Sequence, residues 1–176
     1  MDKLIFLDID GVVNTLEISD KPYETNTGKI PREDFYFELC MPDDGHVSNT
    51  QAVMWLNKLC RDSGARIVIS STWRGRNQNY QRVAEALYNT GLFEDIIIEG
   101  ATEWLDTSRG TEILKYLKDH YPYIQPSYVI LDDDADMDGC MDHLVQCNTH
   151  HGFGYPEYEK ALKILKNTWF MLKNII

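Results

Sequence analysis

Asp8 and Asp10, one residue apart and followed by Gly11, close the apolar run Leu4-Ile5-Phe6-Leu7. A carboxylate at the end of a buried strand is costly unless a cation or hydrogen-bond donors offset its charge. Two held together suit a hard divalent cation, with an anionic group such as phosphate on the far side of the ion. Gly11 allows a sharp turn and lets backbone approach a bound group. A second acidic cluster, Asp132-Asp133-Asp134, follows a second apolar run, Tyr128-Val129-Ile130-Leu131. As neighbouring strands of a parallel sheet, the two runs would end on one edge and bring their acids to a single ion. Solvated acidic turns are the plain alternative, and two acid-tipped strands in one chain argue against it.

A third segment bears on the same edge. Arg66-Ile67-Val68-Ile69-Ser70-Ser71 reads as a strand whose tip carries hydroxyls able to donate to a phosphoryl oxygen without adding charge. Ser71, seven residues after Gly64, is the first choice, and Ser70 replaces it if the register slips by one. Helix capping is the competing role for this Ser-Ser-Thr segment. Gly11, Ser70, Thr72 and Arg74 form the expected phosphate- or substrate-binding set, although for Arg74 an ordinary surface position weighs more.

Asp134-Ala135-Asp136-Met137-Asp138-Gly139 opens like an EF-hand calcium loop. Its twelfth place is Val145 instead of a bidentate glutamate, and the loop follows a strand, so that reading fails. His150 and His151, in a glycine-rich loop, are read as solvated in preference to a second metal site.

The elements that position these groups alternate between strand and helix, the pattern of a parallel sheet covered by helices. A helix is predicted over about 49–63, capped by Asn49 or Thr50, with Val53, Leu56, Leu59 and Cys60 on one face and Gly64 at its end. A second spans 78–90 through Val83, Ala84 and Leu87. Ile96-Ile97-Ile98 reads as a short buried strand. A third helix, capped by Asp106, Thr107 or Ser108, runs to about His120 with Ile113, Leu114, Leu117 and Tyr121 inward. Leu144-Val145-Gln146-Cys147 is a last strand, and Pro156 opens a helix whose Tyr158, Ala161, Leu162, Leu165, Trp169 and Leu172 follow helical spacing. Residues 15–46 read as a long loop or β-hairpin, and no linker or repeat divides the chain.

The bulk properties fit one soluble domain spanning residues 1–176. No apolar stretch reaches the ~18 residues of a membrane span, and no signal peptide is predicted, so a cytoplasmic protein is expected. Four cysteines without CxxC spacing read as reduced thiols and not as a zinc site. The net charge of −11, with no Lys/Arg run, excludes strong nonspecific nucleic-acid binding while leaving room for a nucleotide or a single nucleic-acid end.

Asp8-Ile9-Asp10-Gly11-Val12 after a hydrophobic strand resembles the first motif of the haloacid dehalogenase (HAD) superfamily, most of whose members are magnesium-dependent phosphohydrolases. The hydroxyl after the next strand and the second acidic cluster match that pattern in order. The superfamily also places a lysine or arginine near the start of the helix before the second acidic strand. Arg109 fits this place, with Lys115 and Lys118 as the alternatives. The segments Ser71-Thr72-Trp73-Arg74, Arg109-Gly110-Thr111-Glu112-Ile113 and Val129-Ile130-Leu131-Asp132-Asp133-Asp134 look like one branch, related to HAD domains fused to RNA-repair enzymes.

The resemblance implies a Rossmann-like three-layer α/β sandwich with a mainly parallel sheet. Residues 15–46 and 99–108 are too few for a large cap domain. It implies that Asp8 attacks phosphorus to form an aspartyl-phosphate, and that Asp10 protonates the leaving oxygen and then deprotonates the hydrolytic water. Ser71 and Arg109 would meet the phosphoryl oxygens. Mg2+ would be held by Asp8, the backbone carbonyl of Asp10, Asp133, and Asp132 directly or through water. The implied substrate is a nucleotide or nucleic-acid-end phosphomonoester. It would enter an open site shaded by the 15–46 flap, where Tyr23, Phe35, Tyr36 and Phe37 offer stacking surface or flap packing. A catalytically silent phosphate- or metal-binding module is the alternative, disfavoured by the presence of both Asp8 and Asp10. A phosphotransferase or mutase would need a site that excludes water.

Overall fold

Residues 4–7 are wholly buried because they sit at the centre of the sheet, with helices over both faces. The computed structural model describes residues 1–15, 24–25, 28–29, 49–76 and 79–167. Strand β1 (Lys3–Leu7) lies between β4 (Arg66–Ile69) and β6 (Ser127–Asp132); β5 (Ile98–Ala101) and β7 (Leu144–Gln146) form the edges. The order β5-β4-β1-β6-β7 is parallel throughout. A separate antiparallel pair, β2 (Glu24–Thr25) with β3 (Gly28–Lys29), falls within the expected flap. The remainder of that segment, including Tyr23, Phe35, Tyr36 and Phe37, lies outside the described residues, as do Cys40, Trp169 and Leu172.

Strand alternation divides the core in two. Ile5 and Leu7 of β1, Ile67 and Ile69 of β4, and Val129 and Leu131 of β6 point to one face. There they meet α1 (Thr50–Ser63), α2 (Tyr80–Thr90) and α4 (Tyr155–Asn167). Leu4, Phe6, Val68, Tyr128 and Ile130 point to the other face, under α3 (Arg109–His120). The register Phe6↔Val68 and Phe6↔Ile130 keeps each face consistent across three strands; a slip of one residue would turn every side chain to the wrong layer. The result is a Rossmann-like α/β fold, with no cap domain among the described residues.

The chain winds from β1 outward to β4 and β5, then returns across the sheet to β6 and β7. The reversal lies between β1 and β6. Open α/β sheets bind ligands outside the carboxyl ends of the strands at such a point. Asp8 follows β1 and Asp132 ends β6, so both acids lie at the reversal.

Three sequence expectations shift. The strand predicted at 96–98 begins only at Ile98; Ile96 is buried in the preceding turn, whereas Ile97 is 57% exposed. As an edge strand, β5 takes Glu99, which Arg66 Nε meets at 2.9 Å and to which the hydroxyls of Tyr116 and Tyr121 donate. Leu114, expected inward, is 38% exposed. Ile113, Tyr116 and Leu117 already fill the inward stripe of α3, and Leu114 lies a third of a turn away beside Gly139. The strand predicted to reach Ser71 stops at Ile69, because Ser71 caps a single turn of 3-10 helix (Thr72–Arg74). Elsewhere the caps match the expected chemistry. Asn49 accepts from the Ala52 amide at 2.9 Å, and Ser108, one of three candidates, caps α3. Cys60, Cys140 and Cys147 are buried free thiols.

Candidate active site

Asp8 is fixed by the ladder that precedes it: its amide donates to the Leu131 carbonyl at 2.9 Å. The chain then makes one tight turn. The amides of Val12, Val13 and Asn14 all donate to the Ile9 carbonyl, at 3.2, 3.0 and 2.9 Å. Gly11 has φ +71°, and a Cβ there would fall 2.2 Å from Asp133 Oδ2. Only glycine lets the two acidic loops come this close.

Carboxylate oxygens of Asp8, Asp132 and Asp133 lie within 4.8 Å of one another. Asp132 Oδ1 accepts from the Asp134 amide at 3.0 Å, while Asp132 Oδ2 is buried without a hydrogen-bond partner. Asp133 Oδ2 accepts from the Thr149 hydroxyl at 2.8 Å. Repulsion between two unit charges near 4 Å is about 4 kcal/mol at an effective dielectric of 20. One guanidinium cannot offset three such carboxylates. The all-oxygen donor set and the orphaned Asp132 Oδ2 therefore fit a hard divalent cation such as Mg2+.

The guanidinium is Arg109. Its Nη1 donates to Asp8 Oδ1 at 2.9 Å and to the Ser70 carbonyl, and lies 3.6 Å from Asp132 Oδ2. Arg109 is the first residue of α3, and the loop after β6 forms a socket for that helix start. Asp136 Oδ2 accepts the Arg109 amide at 3.1 Å, and the Asp136 carbonyl accepts the Gly110 amide at 3.2 Å. A Cβ on Gly110 would lie 2.5 Å from the Asp138 amide nitrogen, so the approach requires glycine. The loop with EF-hand-like spacing is thus the seat of Arg109. Asp136 and Gly110 escaped the sequence reading; the one signal was a glycine where a helix prefers a better former. Lys115 pairs with Glu103 and Asp119 on the surface, at 3.0 and 2.5 Å, and Lys118, less than one turn further along α3, is exposed.

Ser71 is buried, accepts from the Trp73 amide at 3.3 Å and favours the charged form of Asp8. Ser70 is also buried; its Oγ has no hydrogen-bond partner, and its carbonyl serves both Arg109 and Arg74. Thr72 is exposed at the start of the 3-10 turn.

Arg74 departs from the surface position expected for it. It is 2% exposed, and its guanidinium donates to the carbonyls of Ser70, Ser71 and Thr102 and to Glu112 Oε2. This residue braces the segment after β4 against α3. The physical reason is topological: three carbonyls at strand ends and a buried carboxylate converge where a five-donor fork can satisfy them together.

Two further partners of Asp10 were not foreseen. Asn14 Nδ2 donates to Asp10 Oδ1 at 2.8 Å, and Trp73 Nε1 donates to Asp10 Oδ2 at 2.9 Å. His150 and His151 are exposed, and the His151 carbonyl accepts from the Asn49 side chain at 3.3 Å.

Burial raises the pKa of Asp8 above the ordinary carboxylate range, against the opposing pull of Arg109. Asp132 is raised by burial and then by the Asp8 charge. Asp10 is raised by burial even though Asn14 and Trp73 favour its charged form. Burial works against the charge of Arg109, but Asp8 and Asp132 outweigh it and raise its pKa. A buried acid cluster poised in this way is characteristic of sites that need a cation or a proton transfer.

The family described as HAD domain in Swiss Army Knife RNA repair proteins matches residues 4–157, which include the whole parallel sheet except Lys3 and all the site residues above. No curated protein and no solved structure matches the chain.

Proposed function

This chain belongs to the family of HAD domains in Swiss Army Knife RNA repair proteins, and from that premise we propose that it is a Mg2+-dependent phosphohydrolase acting through an aspartyl-phosphate. The family supports a HAD-type phosphohydrolase. The observation behind the finer reading is the contact of Arg109 Nη1 with Asp8 Oδ1 at 2.9 Å, beside carboxylates gathered within 4.8 Å.

Asp8 Oδ attacks phosphorus as the bond to the leaving oxygen breaks, and the Asp10 carboxyl gives that oxygen a proton. Asp10, now a carboxylate, takes a proton from water. The water oxygen then displaces the Asp8 oxygen from phosphorus and inorganic phosphate leaves. Arg109, freed from full engagement with Asp8, meets the equatorial oxygens with its N–H groups, and the Ser71 hydroxyl donates to another. Asp8, Asp132, Asp133 and the Asp10 carbonyl would hold Mg2+, which when bound offsets the repulsion between Asp8 and an anionic phosphate.

The substrate class proposed is a nucleotide or nucleic-acid-end phosphomonoester. Its support is the RNA-repair description of the family, together with the shortness of residues 15–46 and 99–108, too few for a large cap domain.

The test is phosphate release from an aryl phosphate, with Mg2+ or with a chelator, beside Asp8→Asn. Metal-dependent release that vanishes in the variant is the expected result. Equal inertness of wild type and variant on that ester and on a panel of 5′- and 3′-phosphorylated oligonucleotides would leave the silent binding module in its place.

A further inference from the structure

Asp10 is held at both of its oxygens. Asn14 Nδ2 lies 2.8 Å from Oδ1, and Trp73 Nε1 lies 2.9 Å from Oδ2. The two donors come from different parts of the chain. Asn14 ends the tight turn that contains Asp10, and its carbonyl accepts the Gly11 amide at 2.7 Å. Trp73 sits in the 3-10 turn that Ser71 caps, and Arg74 anchors that turn through the carbonyls of Ser70 and Ser71. Both donors therefore project from backbone that is itself held by hydrogen bonds.

We infer that Trp73 and Asn14 are positioning residues that clamp the carboxyl plane of Asp10 for proton transfer to the leaving oxygen. The inference rests on the acid/base role proposed above for Asp10. Each oxygen of a carboxyl group has two acceptor directions, and the clamp fills one on each. The carboxyl group is therefore fixed in rotation, and its proton is confined to one of the remaining directions. The indole N–H is a donor only, so it supports Oδ2 as an acceptor in both halves of the reaction. In the first half the proton leaves Asp10 as the bond between phosphorus and the leaving oxygen breaks. In the second half the same carboxylate receives a proton from water. A freely rotating carboxyl group would have to find both geometries by chance, and small misplacements of reacting groups cost large factors in rate.

A positioning role has a signature that lost folding does not share. An ester with a good leaving group needs no proton, whereas an alkyl ester depends on one. Trp73→Phe keeps the ring and removes the donor. The readout is kcat/KM, which reports the steps up to transfer to Asp8, for 2,4-dinitrophenyl phosphate and for an alkyl phosphate such as glycerol phosphate. The expected loss is at most about threefold on the aryl ester and about 30-fold or more on the alkyl ester, within the span of general acid catalysis. On the alkyl ester the loss falls on kcat. Asn14→Leu, which removes the other donor, shows the same preference and serves if Trp73→Phe does not fold. Equal losses on both esters in the folded variants would overturn the clamp while leaving the phosphohydrolase reading intact. Undiminished hydrolysis by Asp8→Asn would overturn that reading, and the clamp with it.

Discussion

Arg109 and Asp8 stand 101 positions apart in the chain, and their side chains meet at 2.9 Å. The guanidinium of Arg109 is the one cation the described residues place against the acidic cluster. Arg109→Lys keeps the charge but loses the rigid plane in which Nη1 reaches both Asp8 and the Ser70 carbonyl and the other N–H groups remain for a phosphoryl oxygen. The expected result is a fall in kcat/KM of about 100-fold, the size of effect seen when one oxyanion donor is lost. Steady-state hydrolysis of an aryl phosphate measures it. A change of less than about threefold would remove Arg109 from the phosphoryl-binding role.

Asp132 Oδ2, buried without a hydrogen-bond partner, gives a test of the metal site that does not depend on turnover. A ligand that binds only the folded state raises stability by RT ln(1 + [L]/Kd), about 2.7 kcal/mol at a hundredfold excess over Kd. Added Mg2+ is expected to raise the thermal midpoint of the wild type, and a chelator to reverse the shift. Asp132→Asn should abolish most of the response. A response in Asp132→Asn equal to that of the wild type would place the metal elsewhere.

Arg74 and Glu112 are both buried, so their interaction is not screened as a surface pair would be. Removing one partner leaves an uncompensated buried charge, at a typical cost of about 3–5 kcal/mol. Glu112→Gln is expected to lower unfolding stability by about 3 kcal/mol in urea titrations. It also loosens the Ser70–Ser71 carbonyls that Arg74 holds, so activity should fall even where the variant remains folded. Stability within about 0.5 kcal/mol of the wild type would show the pair to be dispensable.

Burial pushes the Cys60 thiol up to about 12 and the Cys140 thiol up to about 11. An unfolded thiol ionises near ~8.5, so below that pH neither state is charged and the groups leave stability unchanged. Above it the unfolded chain gives up protons that the folded chain keeps, and stability falls as pH rises toward the folded values. For Cys60 the loss between pH 8.5 and 10 is about 2 kcal/mol at 1.36 kcal/mol per unit. Urea unfolding across that range, compared with Cys60→Ala, should show a shallower decline in the variant. Peptide mapping after native alkylation at pH 8 should find both thiols unmodified, and rapid labelling of Cys60 would contradict its burial.

Much of the fold was legible because its signals are local. Residues 4–7 and 128–131 announce buried strands by continuous apolarity, and Asn49, Gly64 and Ser108 mark helix ends by capping chemistry. Asp8 and Asp132 lie at strand ends because an apolar run cannot extend through a carboxylate, and the sequence alone places both there. Where the competition is not local, the sequence misleads. Ile97 looks like a strand residue and is exposed, because β5 has a neighbour on one side only and its polar residue Glu99 finds three partners.

The sequence by itself determined the residue types at each strand tip, the alternation of strands and helices, and the glycine that lets a turn follow Asp10. Only the tertiary structure decided that Arg74 is a buried brace, that Asp136 and Gly110 seat the helix carrying Arg109, and that Trp73 and Asn14 grip Asp10. These contacts depend on the parallel register of β1 with β4 and β6. A side chain's partner is set by which strand ends are brought together, and neither hydrophobic periodicity nor capping preference contains that distance.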